Sequence, residues 1–318
     1  MTESLRTGLA QLAPVLLNKH ATTEKMLTFC DRAGRESCDL LIFSEALLPG
    51  YPFWIEHTDG ARFESDLQKE FFLKYYENAV DIPAGDLTSF CEIAKKYHMA
   101  IYLGCIEKPV ERGMSLYCSL VYINQHGEID SVHRKLVPTY EERLFWSPGD
   151  GNGLQTHKLK EFRVGGLNCW ENWMPSARMA LYGQGEEIHI SVWPGSQRNT
   201  EQIVPFIARE GRCYSVGVGG IFRKADITSD IPASEQFRSS AGPVIANGGT
   251  CVAGPDGKWL LPPQTDIEDL FIVDLSRDEI IKERLNFDPA GHYSRPDVLE
   301  LRVNKTRQTP LSDDLFST

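Results

Sequence analysis

The sequence predicts an α/β protein in which mixed sheets are covered by helices. Three observations carry that prediction. Short β-rich apolar runs alternate with stretches of helical periodicity, and two pairs of runs are joined by Gly-bearing turns, as hairpins are. Neither a linker-like tract nor a fixed-period repeat divides the 318 residues. One domain over residues 1–309 therefore accounts for the chain, and the polar C-terminal tail at 310–318 is expected to be loose.

The elements follow in order. Thr7 to Leu12 reads as a strand closed by Pro14, and Asn18 to Ala33 as a helix. Asp39 to Phe43 is a compact apolar run of the kind buried on both faces. A polar and aromatic loop leads to helices over Leu67 to Asn78 and Ser89 to Tyr97, then to a strand over Met99 to Glu107. Ser119 to Asn124 and Glu128 to Arg134 flank Gln125-His126-Gly127, where Gly supplies positive φ for a hairpin. Strands follow at Phe162 to Asn168, Ile188 to Trp193 and Cys213 to Val218, separated by helices at Pro175 to Tyr182 and Gln202 to Glu210. A second hairpin joins Gly249 to Ala253 and Lys258 to Leu261 through Gly254-Pro255-Asp256-Gly257. Leu270 to Asp274 is a late strand and Ser276 to Leu285 a helix.

Composition narrows the class. Apolar residues at 42% and charged residues at 24% suit an ordinary globular protein long enough to bury a core without staples. Forty-four acidic against 33 basic residues give a net charge of −11, and the densest basic stretch is only Leu301 to Arg307. Nucleic acid is therefore not the expected partner. No run reaches the roughly 18 apolar residues that cross a bilayer. Met1 to Lys19, interrupted by Arg6, Gln11 and Asn18, lacks the basic start and cleavage site of a signal peptide. Eight cysteines, spread without a Cys-x-x-Cys pair, then point to reduced thiols in a cytoplasmic protein.

Three strand ends carry reactive side chains. Asp39 to Phe43 runs into Ser44-Glu45, the first hairpin ends at His133-Arg134-Lys135, and Phe162 to Asn168 runs into Cys169. Taken singly, each has a plain alternative: a helix-capping carboxylate, a solvated edge lysine, a buried structural thiol. Together they make a hydrolytic set, because an unperturbed thiol is only a few per cent thiolate at neutral pH. A carboxylate would take its proton, and an ammonium would stabilise an anionic intermediate. Rival chemistries are weaker. The chain has no Gly-x-Ser-x-Gly elbow, no His-Glu-x-x-His and no metal-ligand spacing among its eight histidines. Gly149-Asp150-Gly151-Asn152-Gly153 mimics a phosphate loop but lacks the following Gly-Lys-Ser/Thr, and reads as a tight surface turn.

At these residues the chain resembles the nitrilase superfamily of carbon–nitrogen hydrolases, and its nitrilase branch in particular. The likeness runs from Gly8-Leu9-Ala10-Gln11-Leu12-Ala13-Pro14 to Gly291-His292-Tyr293-Ser294-Arg295-Pro296-Asp297. Between them lie Glu45 in Ser44-Glu45-Ala46-Leu47-Leu48-Pro49-Gly50-Tyr51-Pro52, Lys135 in His133-Arg134-Lys135-Leu136-Val137-Pro138-Thr139, and Cys169 in Asn168-Cys169-Trp170-Glu171-Asn172. Glu142 and Arg143 precede Trp146 and Gly149-Asp150-Gly151 as they do in nitrilases. Two departures stand out: Ser44 where nitrilases commonly have Pro, and the more acidic Tyr140-Glu141.

The resemblance implies a four-layer α-β-β-α sandwich of two mixed sheets. It implies a catalytic triad of Glu45, Lys135 and Cys169, with Glu142 positioning substrate and Lys135, and no metal or organic cofactor. It also implies a small-molecule nitrile as substrate, and a homodimer that assembles further, in some members into spirals. Tyr51, Phe53, Trp54, Trp170 and Trp193 lie near the motif strand ends and are expected to line the substrate pocket, with a subunit contact as the alternative for Trp54. Trp170, next to the thiol, is the leading aromatic of that set. The expected reaction is hydrolysis of a nitrile to the acid and ammonia through thioimidate and thioester intermediates. The rivals are an aliphatic amidase or a cyanide-hydrolysing enzyme on the same triad, and a binding or scaffold protein that kept the fold without turnover.

Overall fold

The computed structural model describes residues 4–311 and contains thirteen strands among those residues. The first sheet joins β1 (Ser4–Gln11), β2 (Leu40–Phe43), β3 (Ala100–Glu107), β4 (Tyr117–Ile123) and β5 (Ile129–Arg134) in sequence order. The second contains β6 (His157–Leu159), β7 (Phe162–Asn168), β8 (Ile188–Trp193), β9 (Tyr214–Gly219), β10 (Ile221–Arg223), β11 (Val244–Ala253) and β12 (Trp259–Thr265). The last strand, β13 (Asp269–Ser276), returns to the first sheet and pairs antiparallel with β1.

Both sheets repeat one plan. β1, β2 and β3 run parallel, as do β7, β8 and β9, and antiparallel strands flank each trio. Parallel strands require crossovers, and the helices Lys19–Arg35, Thr88–Tyr97, Pro175–Tyr182 and Ile203–Gly211 lie in those connections. The period of two in the strands then decides the layers. Leu40, Ile42, Ala100 and Tyr102 face Val164, Ile188, Ile190 and Val216 between the sheets. Leu41, Phe43, Ile101 and Leu103 turn the other way, onto Met26, Cys30, Phe90 and Ala94. Behind the second sheet, Cys213, Cys251 and Ala253 meet Val204, Ile207 and Ala208. The result is the expected helix–sheet–sheet–helix sandwich, which accounts for the unbroken apolar runs in its central strands.

Some local expectations change. The helix Ser234–Ser240, the short strands β6 and β10 and the first half of β11 lie in stretches where the sequence pattern suggests no element, and the short helix Trp54–His57 lies within the expected polar and aromatic loop. Gly149–Gly153 is not a surface turn. A Cβ at Gly149 would meet Arg134 O at 2.2 Å, and one at Gly153 would meet His133 Cα at 2.3 Å, so only glycine lets this loop lie against the end of β5. The C-terminal segment returns to cover it. Arg307 Nη1 donates to Asp150 Oδ1 at 3.0 Å, Gln308 N to Asp150 Oδ2 at 2.9 Å, and Asn152 Nδ2 to Lys305 O at 2.9 Å. Of the tail expected from 310, residues 312–318 lie outside the described residues. All eight cysteines are free, and no described helix is long and apolar enough to cross a membrane.

Candidate active site

Glu45, Lys135 and Cys169, widely separated in sequence, meet where three strands end at the same edge of the sandwich. Glu45 stands two residues past β2, Lys135 directly after β5, and Cys169 directly after β7 on the opposite sheet. Gly104 makes room for the first of these: a Cβ there would lie 2.1 Å from Ser44 O and 2.9 Å from Glu45 Cα. Lys135 continues its ladder by donating its N–H to Cys118 O at 2.8 Å. Cys169 has φ +48°, a left-handed conformation that costs a non-glycine residue about 1–3 kcal/mol and concentrates at functional sites. Ala46, Tyr140 and Ser196, on neighbouring loops, share positive φ.

Lys135 is the centre of the arrangement. Its Nζ donates to Glu45 Oε1 at 2.8 Å and to Glu142 Oε2 at 2.7 Å, and all three side chains are at most 1% exposed. Glu142 is held independently of the lysine. It occupies the third position of the turn Tyr140–Leu144 and forms a capping box with Thr139, whose N–H reaches Glu142 Oε2 at 2.6 Å. Tyr51 donates its hydroxyl to Glu142 Oε1 at 2.9 Å, with Glu141 Oε1 also at 3.0 Å. Glu45 Oε2 alone has no partner.

The charges follow from burial and proximity. Burial raises the Glu45 carboxyl; Lys135 pulls it down, Glu142 pushes it up again, and the group ends at about 7. Burial alone would lower Lys135, but the neighbouring carboxylates, Glu45 first and then Glu142, outweigh it and hold the ammonium protonated. Burial and Glu45 push the Cys169 thiol well above its ordinary value, so it rests as the neutral thiol. A base that titrates near neutrality thus stands beside a thiol that must be deprotonated to react. Oxygen and sulfur atoms of Glu45, Glu142 and Cys169 lie within 4.8 Å of one another. The Lys135 ammonium already bridges both carboxylates, as a bound cation would.

Cys169, Glu142 and Tyr51 open onto a cleft of about 280 Å³, whose other walls include Phe53, Glu141, Trp170, Arg198 and Ile245. A wider hollow of about 600 Å³ adjoins it through Glu56 and Glu141 but does not reach the thiol. The expected aromatic lining is corrected in part. Trp170 is 54% exposed and lines the cleft with Tyr51. Trp54 instead stacks on Phe71 at 4.9 Å and abuts Tyr75 and Phe145 in a buried cluster, while Phe53 turns to the cleft. Trp193 is fully buried with Ile203 and Val204 behind Cys169.

Glu171 and His133, which sit inside the Cys169 and Lys135 motifs, form a contact that the sequence does not announce. Glu171 accepts from Leu136 N at 2.6 Å and Asn168 N at 2.9 Å, and His133 Nε2 lies 3.1–3.2 Å from both of its oxygens. It therefore joins the Cys169 turn to the Lys135 loop across the two sheets. The available signal was spacing: His133 precedes Lys135 by two along a strand, and Glu171 follows Cys169 by two.

Comparison with known proteins agrees with this geometry. Residues 6–284 match the family model described as carbon–nitrogen hydrolase. An aliphatic nitrilase of Rhodococcus rhodochrous is 33% identical over 98% of this chain and 82% of its own length. A bifunctional nitrilase/nitrile hydratase of Oryza sativa subsp. japonica is 33% identical over 97% and 86%. Among solved structures, Nit3 of Saccharomyces cerevisiae superposes with a TM-score of 0.71 at 16% identity, covering 92% of this chain and 97% of that one. A carbon–nitrogen hydrolase from Helicobacter pylori G27 gives 0.70 at 20% identity, covering 93% and 97%. With a family model spanning most of its length and such relatives along nearly all of it, this chain belongs to the carbon–nitrogen hydrolases, in the nitrilase branch of the nitrilase superfamily.

Proposed function

We propose that the protein is a nitrilase that converts a small organic nitrile to its carboxylic acid and ammonia. The observation that carries this reading is the Lys135 ammonium bridging Glu45 and Glu142, the second of which lines one cleft with Cys169. The relatives named as nitrilases support the substrate class, and the cleft, at about 280 Å³, lies at the small end of ligand sites.

Glu45 takes the Cys169 proton as the sulfur attacks the nitrile carbon, and returns it to the nitrile nitrogen to give a thioimidate. Water adds to the C=N bond, the C–N bond breaks, and ammonia leaves a thioester. A second water, deprotonated by Glu45, attacks the thioester; the C–S bond breaks and the proton returns to sulfur. Two waters are consumed for each acid and ammonia released. Lys135 donates to the charge that develops on the tetrahedral intermediates, a contribution of about 10²- to 10³-fold for one well-placed donor. Glu142 and Tyr51 hold Lys135 and the cleft floor in place. The chain is further proposed to act in the cytoplasm as a homodimer or larger assembly.

The test is ammonia release from aliphatic, aryl and arylacetonitriles and the matching amides, with acid and amide products separated, for wild type and Cys169→Ala. Acid and ammonia from nitriles, lost on substitution, support the proposal. Amide as the main product moves the reaction to hydration, turnover of amides alone moves it to the amidases, and turnover that survives Cys169→Ala removes the mechanism.

A further inference from the structure

A second thiol sits inside this cluster. Cys118, on β4, is the cross-strand neighbour of Lys135, whose N–H bonds to the Cys118 carbonyl at 2.8 Å. Its Sγ lies 3.5 Å from Glu45 Oε1, the same oxygen that accepts from Lys135 Nζ at 2.8 Å. Both side chains are 1% exposed, so no solvent competes for the contact. We propose that Cys118 is a positioning residue for the reaction: its S–H donates to Glu45 Oε1, fixes the carboxylate's rotation and leaves Oε2 as the oxygen presented to the proton of Cys169.

The geometry divides the two oxygens of Glu45 between two tasks. Oε1 carries both donors, one strong and charged, one weak and neutral. Oε2 is buried without a hydrogen-bond partner, an arrangement that costs free energy and therefore calls for an explanation. A base that must accept a proton needs such a free lone pair. The groups facing Glu45 are Lys135 after β5, Glu142 in the turn Tyr140–Leu144, Cys118 on β4, Cys169 after β7, and the hydroxyls of Tyr51 and Tyr75. Burial and the nearby Glu45 charge hold the Cys118 thiol well above its ordinary value, so it stays protonated and able to donate. Donation to a carboxylate favours its ionised form, so the same contact also keeps Glu45 available as a base at lower pH.

This inference rests on the nitrilase reading, but its test does not need turnover. The acid limb of kcat/KM is measured for Cys118→Ala and Cys118→Val, the latter keeping the strand-compatible bulk while removing the donor. Iodoacetamide alkylation of Cys169, followed by peptide mass spectrometry against pH, reads the same limb without a nitrile. Both variants are expected to move both limbs up by about 0.5 pH unit, a roughly threefold loss at pH 6.5, with KM within about twofold of wild type. Cys118→Ser, which restores an O–H donor, should recover at least half the shift. Unmoved limbs in a folded variant overturn the proposal, as does a shift in Cys118→Ala that Cys118→Val lacks, since that would be a packing effect. If no nitrile is turned over but the alkylation limb moves, the nitrilase reading fails while the effect of Cys118 on Glu45 is upheld.

Discussion

Glu45 and Glu171 are both 1% exposed, both follow a central strand, and both reach a residue from another strand end, yet their surroundings set them to different work. Glu171 uses both oxygens on the backbone N–H groups of Leu136 and Asn168 and on the His133 ring. Burial by itself would raise its carboxyl, but those donors outweigh it and hold the group below its ordinary value. Glu45 has a charged donor and a thiol on one oxygen, none on the other, a second carboxylate nearby, and titrates near 7. Burial is the same in both. The number of donors and the sign of the neighbouring charge separate a carboxylate that can exchange a proton from one that joins two loops.

Removing the cation from the first cluster is the largest perturbation of that contrast. Lys135→Met keeps most of the side-chain volume but leaves Glu45 and Glu142 buried without their shared partner. Breaking a buried pair in this way costs about 3–5 kcal/mol unless a carboxylate takes up a proton. Loss of the donor to the intermediates should lower kcat by a further factor of about 10² to 10³. Urea unfolding and ammonia release measure the two effects separately. A variant as active as wild type would show that Lys135 is only a structural counter-ion.

Glu171→Gln probes the second cluster. It leaves the side chain's shape but replaces one acceptor oxygen by an amide that cannot accept from both Leu136 N and Asn168 N. The expected stability cost is about 1–3 kcal/mol. Misplacing Cys169 against Lys135 should lower kcat/KM by about 10- to 100-fold. The acid limb should stay at the wild-type pH, because Glu171 does not exchange a proton in the reaction. A limb that moved with this substitution would erase the distinction between the two glutamates.

Much of this was legible in the sequence wherever a local pattern carries the information. The parallel strands could be read because their two-sided burial writes continuous runs such as Leu40–Phe43, and the three reactive side chains because each follows the end of a strand the sequence predicts. What lay hidden depends on chain segments far apart. Gly149–Gly153 looked like a free turn because nothing nearby announces that residues 305–308 return to cover it. The sequence Pro52-Phe53-Trp54 offers two aromatics to the same loop, and the short helix Trp54–His57 turns the larger one inward onto Phe71. Trp193, as the last residue of a strand, points by alternation away from the cleft, a parity readable only once the pairing of β8 with β9 is known. Cys118 gave no sign at all. One small apolar residue among many, it gains meaning only from the ladder that sets it beside Lys135.

The smallest and most specific effect concerns the electrostatic setting of Glu45. Protonation removes its capacity as a base, so the wild-type rate should fall as pH drops through about 7. The negative charge of Glu142 is one reason this value stands above the ordinary carboxylate range. Glu142→Gln removes that charge and leaves Lys135 with Glu45 as its one remaining carboxylate partner of the two, and both changes favour ionised Glu45. The limb should therefore move down, by about one pH unit, even though kcat itself falls as the cleft floor loosens. Loss of the Cys118 donor is expected to move the same limb up. Measured together on Cys169 alkylation, the two substitutions should displace one titration in opposite directions. A shift of the same sign in both would mean that the limb belongs to a group other than Glu45.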